Sequence, residues 1–163
     1  MNATHKSVIY PGSFDPITKG HEDVIKRSLI LFDRVFVAVA STSSHSKESL
    51  FSPEERIELI RELFDGQDGI EVILFDGLLV DLAKKLKTPV IIRGLRAVSD
   101  FEYEFQMAQM NRQLLDNIET VFLAPDQQFS FLSSTLVREV ATLGGDVSGF
   151  VSTLILERIS EKL

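Results

Sequence analysis

The chain has 163 residues, no cysteine and a formal net charge of −7. That length fits one domain spanning residues 1–163 with an ample core, and the missing cysteines exclude disulfides, thiolate metal sites and a cysteine nucleophile. The acidic balance argues against a broad basic face for nucleic acid, and with no run of eighteen apolar residues and no signal-peptide pattern, a soluble cytoplasmic protein outside any membrane is expected.

Apolar strand-like runs alternate with helical periodicity from end to end, the pattern of a parallel sheet covered by helices. Strands are expected at Ser7–Tyr10, Arg34–Ala40, Glu71–Phe75, Val90–Arg93 and Thr120–Ala124. After the first strand, Gly12 and Pro16 interrupt regular structure. Thr18 then serves as a helix N-cap, which puts Gly20 and His21 in the first turn of a helix from about Lys19 to Leu31. Such a helix start, with its bare N–H groups and partial positive charge, is a natural seat for a phosphate.

The Ser/Thr-rich stretch Ser41–Ser49 reads as a loop placed to fold over a ligand. Ser52-Pro53-Glu54-Glu55 is a capping box opening a helix to about Phe64, and the mixed charges from Arg56 to Glu62 read as its solvated face. Leu78–Leu86 suit a third helix, and Ser99 with Glu102 caps a fourth that runs to about Leu115. In that helix Phe101, Tyr103, Phe105, Met107 and Met110 put apolar groups on more than one face, part of which could meet another subunit. A fifth helix starts near Ser133 and ends before Gly144-Gly145, and a last amphipathic segment spans about Phe150 to Lys162. The fold class expected is α/β, a Rossmann-like, doubly wound, five-stranded parallel sheet with helices on both faces.

Ligands of open parallel sheets bind outside the carboxyl ends of the strands, where the strand order reverses. The first strand delivers Ser13 to His21 to that rim, the fourth delivers Arg93-Gly94-Leu95-Arg96, and the fifth delivers Phe129 to Thr135. The local cations available for an anion are Lys19, His21, Lys47, Arg93 and Arg96. Arg93 closes a buried apolar strand, so it either meets an anion or pairs with an acid such as Asp100. Ser133, Ser134 and Thr135 set three hydroxyls at a helix start, one to cap and the others to donate to phosphate, with Arg138 one turn further in.

Thr18-x-Gly20-His21 resembles the (His/Thr)-x-Gly-His signature of the nucleotidyltransferase superfamily, and Leu132-Ser133-Ser134-Thr135 through Arg138 resembles its Ile-Ser-Ser-Thr-x-x-Arg motif. With the run Tyr10 to His21 and the block Ile92-Arg93-Gly94-Leu95-Arg96 through Phe101-Glu102-Tyr103-Glu104, nearly the whole chain looks like the bacterial phosphopantetheine adenylyltransferase family. The resemblance implies transfer of the adenylyl group of ATP to 4′-phosphopantetheine, giving dephospho-coenzyme A and pyrophosphate, and assembly as a homohexamer. By matching positions it implies that Ser13 touches both ligands and that His21 stabilises the transition state. It places Phe14, Gly94, Leu95, Arg96, Glu104, Phe129, Ser130, Phe131, Leu132, Ser133, Ser134 and Thr135 at the ATP site. Lys47, Leu79 and Arg93 correspond to contacts of the acceptor phosphopantetheine. Most members carry threonine where Ser13 stands, and tryptophan is common where Phe129 stands.

The acceptor phosphate, with a second pKa of about 6, is already largely a dianion near neutral pH, so no general base is required. His21 is expected to donate a hydrogen bond to the α-phosphate, and magnesium to be bound mainly through the ATP phosphates rather than by a protein cage. A sibling adenylyl- or cytidylyltransferase would share the two short signatures but not the Arg-Gly-Leu-Arg…Phe-Glu-Tyr-Glu block. A non-catalytic nucleotide-binding module would bind ATP without turnover. A structural interaction protein would leave the converging cations unexplained.

Overall fold

The computed structural model describes residues 6–41, 49–96 and 98–163. Among these described residues five strands, β1 (Ser7–Gly12), β2 (Arg34–Ala40), β3 (Ile70–Phe75), β4 (Val90–Gly94) and β5 (Glu119–Leu123), form one parallel sheet in the order β3-β2-β1-β4-β5. The chain winds outward from β1 to β3, returns to β4 beside β1 and winds out the other way. The order therefore reverses between β1 and β4, and a crevice opens past their carboxyl ends.

Among the described residues six α-helices accompany the strands: α1 (Lys19–Leu31), α2 (Pro53–Leu63), α3 (Leu79–Leu86), α4 (Val98–Leu114), α5 (Ser134–Thr142) and α6 (Thr153–Lys162). The sheet separates two apolar clusters, as alternation along a buried strand requires. On one face Val8 and Tyr10 of β1 pack with Val24 and Ile25 of α1, Ile57 and Ile60 of α2, Val137 of α5 and Ile155 of α6. On the other, Ile9 and Ile91 pack with Val80 and Ala83 of α3 and with Ile118.

The expected fold class, element types and order are those observed, and the differences lie at element ends. β1 runs two residues beyond Tyr10, because Pro11 and Gly12 keep register with Ala38 and Val39. Helix α4 opens at Val98 instead of after Ser99, and α6 starts at Thr153 because Phe150 is held in a turn onto Val147. The capping box at Ser52 forms as read. Ser52 accepts from the Glu55 N–H at 3.2 Å while the Glu55 carboxylate accepts from the Ser52 N–H at 2.7 Å.

Contrary to what its mixed charges suggest, the stretch from Arg56 to Glu62 is not solvated throughout. Arg56 is 2 % exposed and does not belong to a solvated face. Its guanidinium donates to the carbonyls of Phe51 (2.8 Å) and Ser13 (3.2 Å) and lies 3.8 Å from the carboxylate of Asp15, which is also buried. A buried charge persists where every N–H finds an acceptor and a counter-charge is close.

Candidate active site

Past the ends of β1 and β4 lies a cleft of about 460 Å³. Residues from all three expected segments line it: Ser13, Gly20 and His21 after β1; Arg93, Gly94 and Arg96 at the end of β4; and Phe129, Leu132, Ser133, Ser134 and Thr135 after β5. Tyr103 and Glu104 of α4 close one side.

His21 is fixed by the start of α1. The Thr18 backbone N–H donates to His21 Nδ1 at 3.0 Å, and the His21 N–H donates back to Thr18 Oγ1 at 3.4 Å. Because a backbone N–H can only donate, Nδ1 is an acceptor and the ring proton sits on Nε2. The ring packs edge-on against Phe14, 5.1 Å between centroids. Burial, aided by the positive field of Arg96 and Arg93, pushes the imidazole pKa down to about 4. His21 is thus a neutral N–H donor at pH 7, held beside the bare N–H groups of the helix start.

Arg93 does pair with an acid, and the acid is Glu104. Nε and Nη2 donate to the two Glu104 oxygens at 2.7 and 2.5 Å, and Nη1 donates to the Pro11 carbonyl at 2.9 Å. This bidentate fork holds the guanidinium rigid at the rim. Asp100 pairs instead with Arg96, 3.1 Å away and one helical turn along, while Arg96 Nη1 donates to the Leu132 carbonyl at 2.9 Å. Arg96 therefore ties the β4 exit to the β5 exit.

The three hydroxyls divide their work. Ser133 caps α5, accepting from the Leu136 N–H at 3.1 Å, and Ser134 donates to the Pro16 carbonyl at 2.8 Å. Thr135 lines the cleft beside them. Arg138 turns away to the Asp15 carbonyl and lies 3.6 Å from its carboxylate, so it braces the β1–α1 turn from behind. Lys19 likewise donates to the carbonyls of Ser148 and Gly149, both at 3.1 Å, and does not line the cleft.

Other site candidates fall at the margin. Phe14 is 1 % exposed and supports the site from within, its ring so close over Gly12 that a Cβ there would stand 2.9 Å from it. Leu95, Ser130 and the exposed Phe131 do not line the cleft, and Phe131 packs edge-on against Phe150. Leu79 opens onto an adjoining cavity of about 410 Å³ that shares Ser13, Arg93, Tyr103 and Glu104 with the cleft and continues to Met107 and Asn111. Lys47 lies outside the described residues. Sequence reading did not single out Tyr10 as a lining residue, and its signal was a phenol at the end of an otherwise aliphatic strand.

Among the described residues no cluster of acids and histidines is arranged to hold a metal ion. The carboxylates lining the cleft, Asp100 and Glu104, already face guanidiniums. What this arrangement can do is bind and neutralise phosphoryl oxygens, with a polar cleft for one reactant and a more apolar arm for a second.

Comparison with known proteins agrees with that chemistry. The cytidylyltransferase-like family model matches residues 9–140. Proteins named phosphopantetheine adenylyltransferase from Nitrosomonas eutropha and Aromatoleum aromaticum are 54 % and 52 % identical to this chain. Each alignment covers 95 % of this chain, with 93 % and 94 % of the relatives respectively. A crystal structure of a candidate nicotinate-nucleotide adenylyltransferase from Vibrio parahaemolyticus superposes with a TM-score of 0.72 over 96 % of this chain and 99 % of that one, at 17 % identity, which bears on the fold. The chain belongs to the phosphopantetheine adenylyltransferase family of cytidylyltransferase-like nucleotidyltransferases.

Proposed function

We propose that this protein transfers the adenylyl group of ATP to 4′-phosphopantetheine, releasing pyrophosphate and forming dephospho-coenzyme A. The observation that carries the reading is the convergence of His21, Arg93, Arg96 and Ser134 on one cleft with a second arm lined by Leu79. The identity of the named relatives adds to it. ATP occupies the polar cleft, and since the cleft carboxylates are committed to arginines, a magnesium ion would be held through the nucleotide, where it would supply charge neutralisation, rather than by these residues. The acceptor lies along the adjoining arm with its phosphate toward Arg93.

Chemistry then needs little from the protein beyond placement and charge. A phosphate dianion attacks the α-phosphorus in line, one P–O bond forms as the bond to pyrophosphate breaks, and no covalent enzyme intermediate arises. His21 Nε2–H donates to the α-phosphate oxygen. Its neutrality matters less than its fixed direction, since a donor already aimed at the developing charge needs no reorganisation. Arg93, held by Glu104, steadies the acceptor, and Arg96 with the hydroxyls of Ser13 and Thr135 faces the triphosphate.

The whole chain acts as one nucleotidyltransferase domain in this reading, in the cytoplasm. It assembles as a homohexamer, for which the exposed apolar side chains of α4, Phe101, Phe105 and Met110, offer surface. Among the described residues no helix is long and apolar enough to cross a membrane. The reading is tested by incubating the protein with magnesium, ATP and, separately, 4′-phosphopantetheine or nicotinate mononucleotide, with mass spectrometry of the products. Dephospho-coenzyme A from the first acceptor alone is expected. Adenylylation of nicotinate mononucleotide instead, or ATP binding without either product, would replace this reading with a sibling transferase or a binding module.

A further inference from the structure

Tyr10 carries the last side chain of β1 on the α1 side, opposite Val37 in the ladder and on the same face as Val8, since Gly12 beyond it has none. Its ring is core: it is 5 % exposed and packs edge-on on Phe14 at 5.4 Å, with the His21 ring 6.4 Å away. The phenol oxygen has no hydrogen-bond partner among the described residues. It points past the strand end into the cleft and lies 4.0 Å from where a side chain at Gly94 would begin. A phenylalanine would fill the same core space, so the hydroxyl is not explained by packing. The hydroxyl is not sealed in the core but opens onto the cleft, where an oxygen of a bound ligand can serve as its acceptor.

The surroundings say what that acceptor is. The charged groups that act on the phenol are the cations Arg93 and Arg96 and, more weakly, the acids Glu104 and Asp23, and His21 offers the same cleft a neutral N–H, so donors to a phosphate oxygen converge there. Burial pushes the phenol pKa up, which keeps its proton on and makes the group a donor at neutral pH. Tyr10 lines the polar cleft and not the adjoining arm with Leu79, so the acceptor it awaits belongs to the reactant in the polar cleft. The absent side chain of Gly94 leaves the approach to the hydroxyl open.

We propose that the Tyr10 phenol is a further nucleotide-contacting group of this site, its O–H donating to a phosphate oxygen of ATP. This rests on the assignment of the polar cleft to ATP made above. The test is calorimetric titration of wild-type and Tyr10→Phe protein with magnesium-ATP, without acceptor, and with adenosine. Because a hydrogen bond to a charged oxygen is lost, ATP affinity is expected to fall about tenfold or more in Tyr10→Phe while adenosine affinity stays the same. Equal ATP affinities in the two proteins, or an equal loss for ATP and adenosine, would overturn the proposal. If wild-type protein binds ATP but makes no dephospho-coenzyme A, the assigned reaction fails while the Tyr10 contact is still decided by the titration.

Discussion

One proton on His21 decides what the cleft can offer a phosphate oxygen. Thr18 forces Nδ1 of His21 to accept, so the ring proton sits on Nε2, and the lowered pKa keeps the ring neutral. Nitrogen-15 NMR of the free protein is expected to show the Nε2–H tautomer at pH 7 and a titration midpoint near 4; a midpoint near 6.5 would contradict the burial argument. Because folding lowers this pKa, the folded chain binds fewer protons there than the unfolded chain between pH 4 and 6.5. The contribution of His21 to stability is therefore full above about pH 6.5 and is lost as pH falls toward 4. Glu104→Gln keeps the shape of the Arg93 clamp but removes its charge. The KM for the acceptor is then expected to change several-fold while the KM for ATP moves less, as steady-state kinetics with each substrate varied would show. The tautomer was legible in sequence only as a capping threonine three residues before a histidine. That Arg93 would choose Glu104 over Asp100 was not, because the choice depends on how α4 leans over β4, which local sequence does not encode.

At the element scale the β1–α1 turn is held from three sides by Asp15. Its carboxylate accepts from the N–H groups of Leu50 and Phe51 at 3.0 and 2.9 Å and lies between Arg56 and Arg138. This hub joins the turn that carries Ser13 to the start of α2 and to α5. Replacing Asp15 with asparagine strands two guanidiniums, and a loss of roughly 3 kcal/mol is expected, read as a lower urea midpoint at unchanged slope. An unchanged midpoint would remove Asp15 from this role. Gly12→Ala tests the packing beneath the same turn. The added methyl meets the Phe14 ring, and overpacking of about 1–3 kcal/mol is expected in thermal unfolding. Caps and strands here were legible because they are written in neighbouring residues: Thr18, Ser52 and Ser133 each cap the helix read from them. Arg56 was misread because charge alternation along a helix looks the same whether the partner is water or an aspartate 41 residues earlier in the chain.

At the scale of the whole molecule, strand order makes the site. The reversal between β1 and β4 leaves room past Gly12 and Gly94, and β5 brings its loop across to the same rim. That convergence was legible because alternating strands and helices leave few topologies open. The surface of α4 was legible only as an apolar excess. In the single chain Tyr103 and Met110 are 63 % and 57 % exposed, more apolar surface than a helix normally offers to water. If α4 carries the subunit contacts of the proposed hexamer, Met110→Glu is expected to sediment as smaller species than wild type in sedimentation velocity, and an unchanged sedimentation coefficient would move the interface elsewhere.

The proposed chemistry rests on a fixed, neutral His21 that stabilises the charge developing in the cleft shared by both reactants. It is tested most directly by comparing wild-type and His21→Ala protein in steady-state dephospho-coenzyme A formation alongside calorimetric ATP binding. The account predicts a fall in kcat of about a hundredfold or more with ATP affinity nearly unchanged. Near-normal turnover in His21→Ala would contradict it.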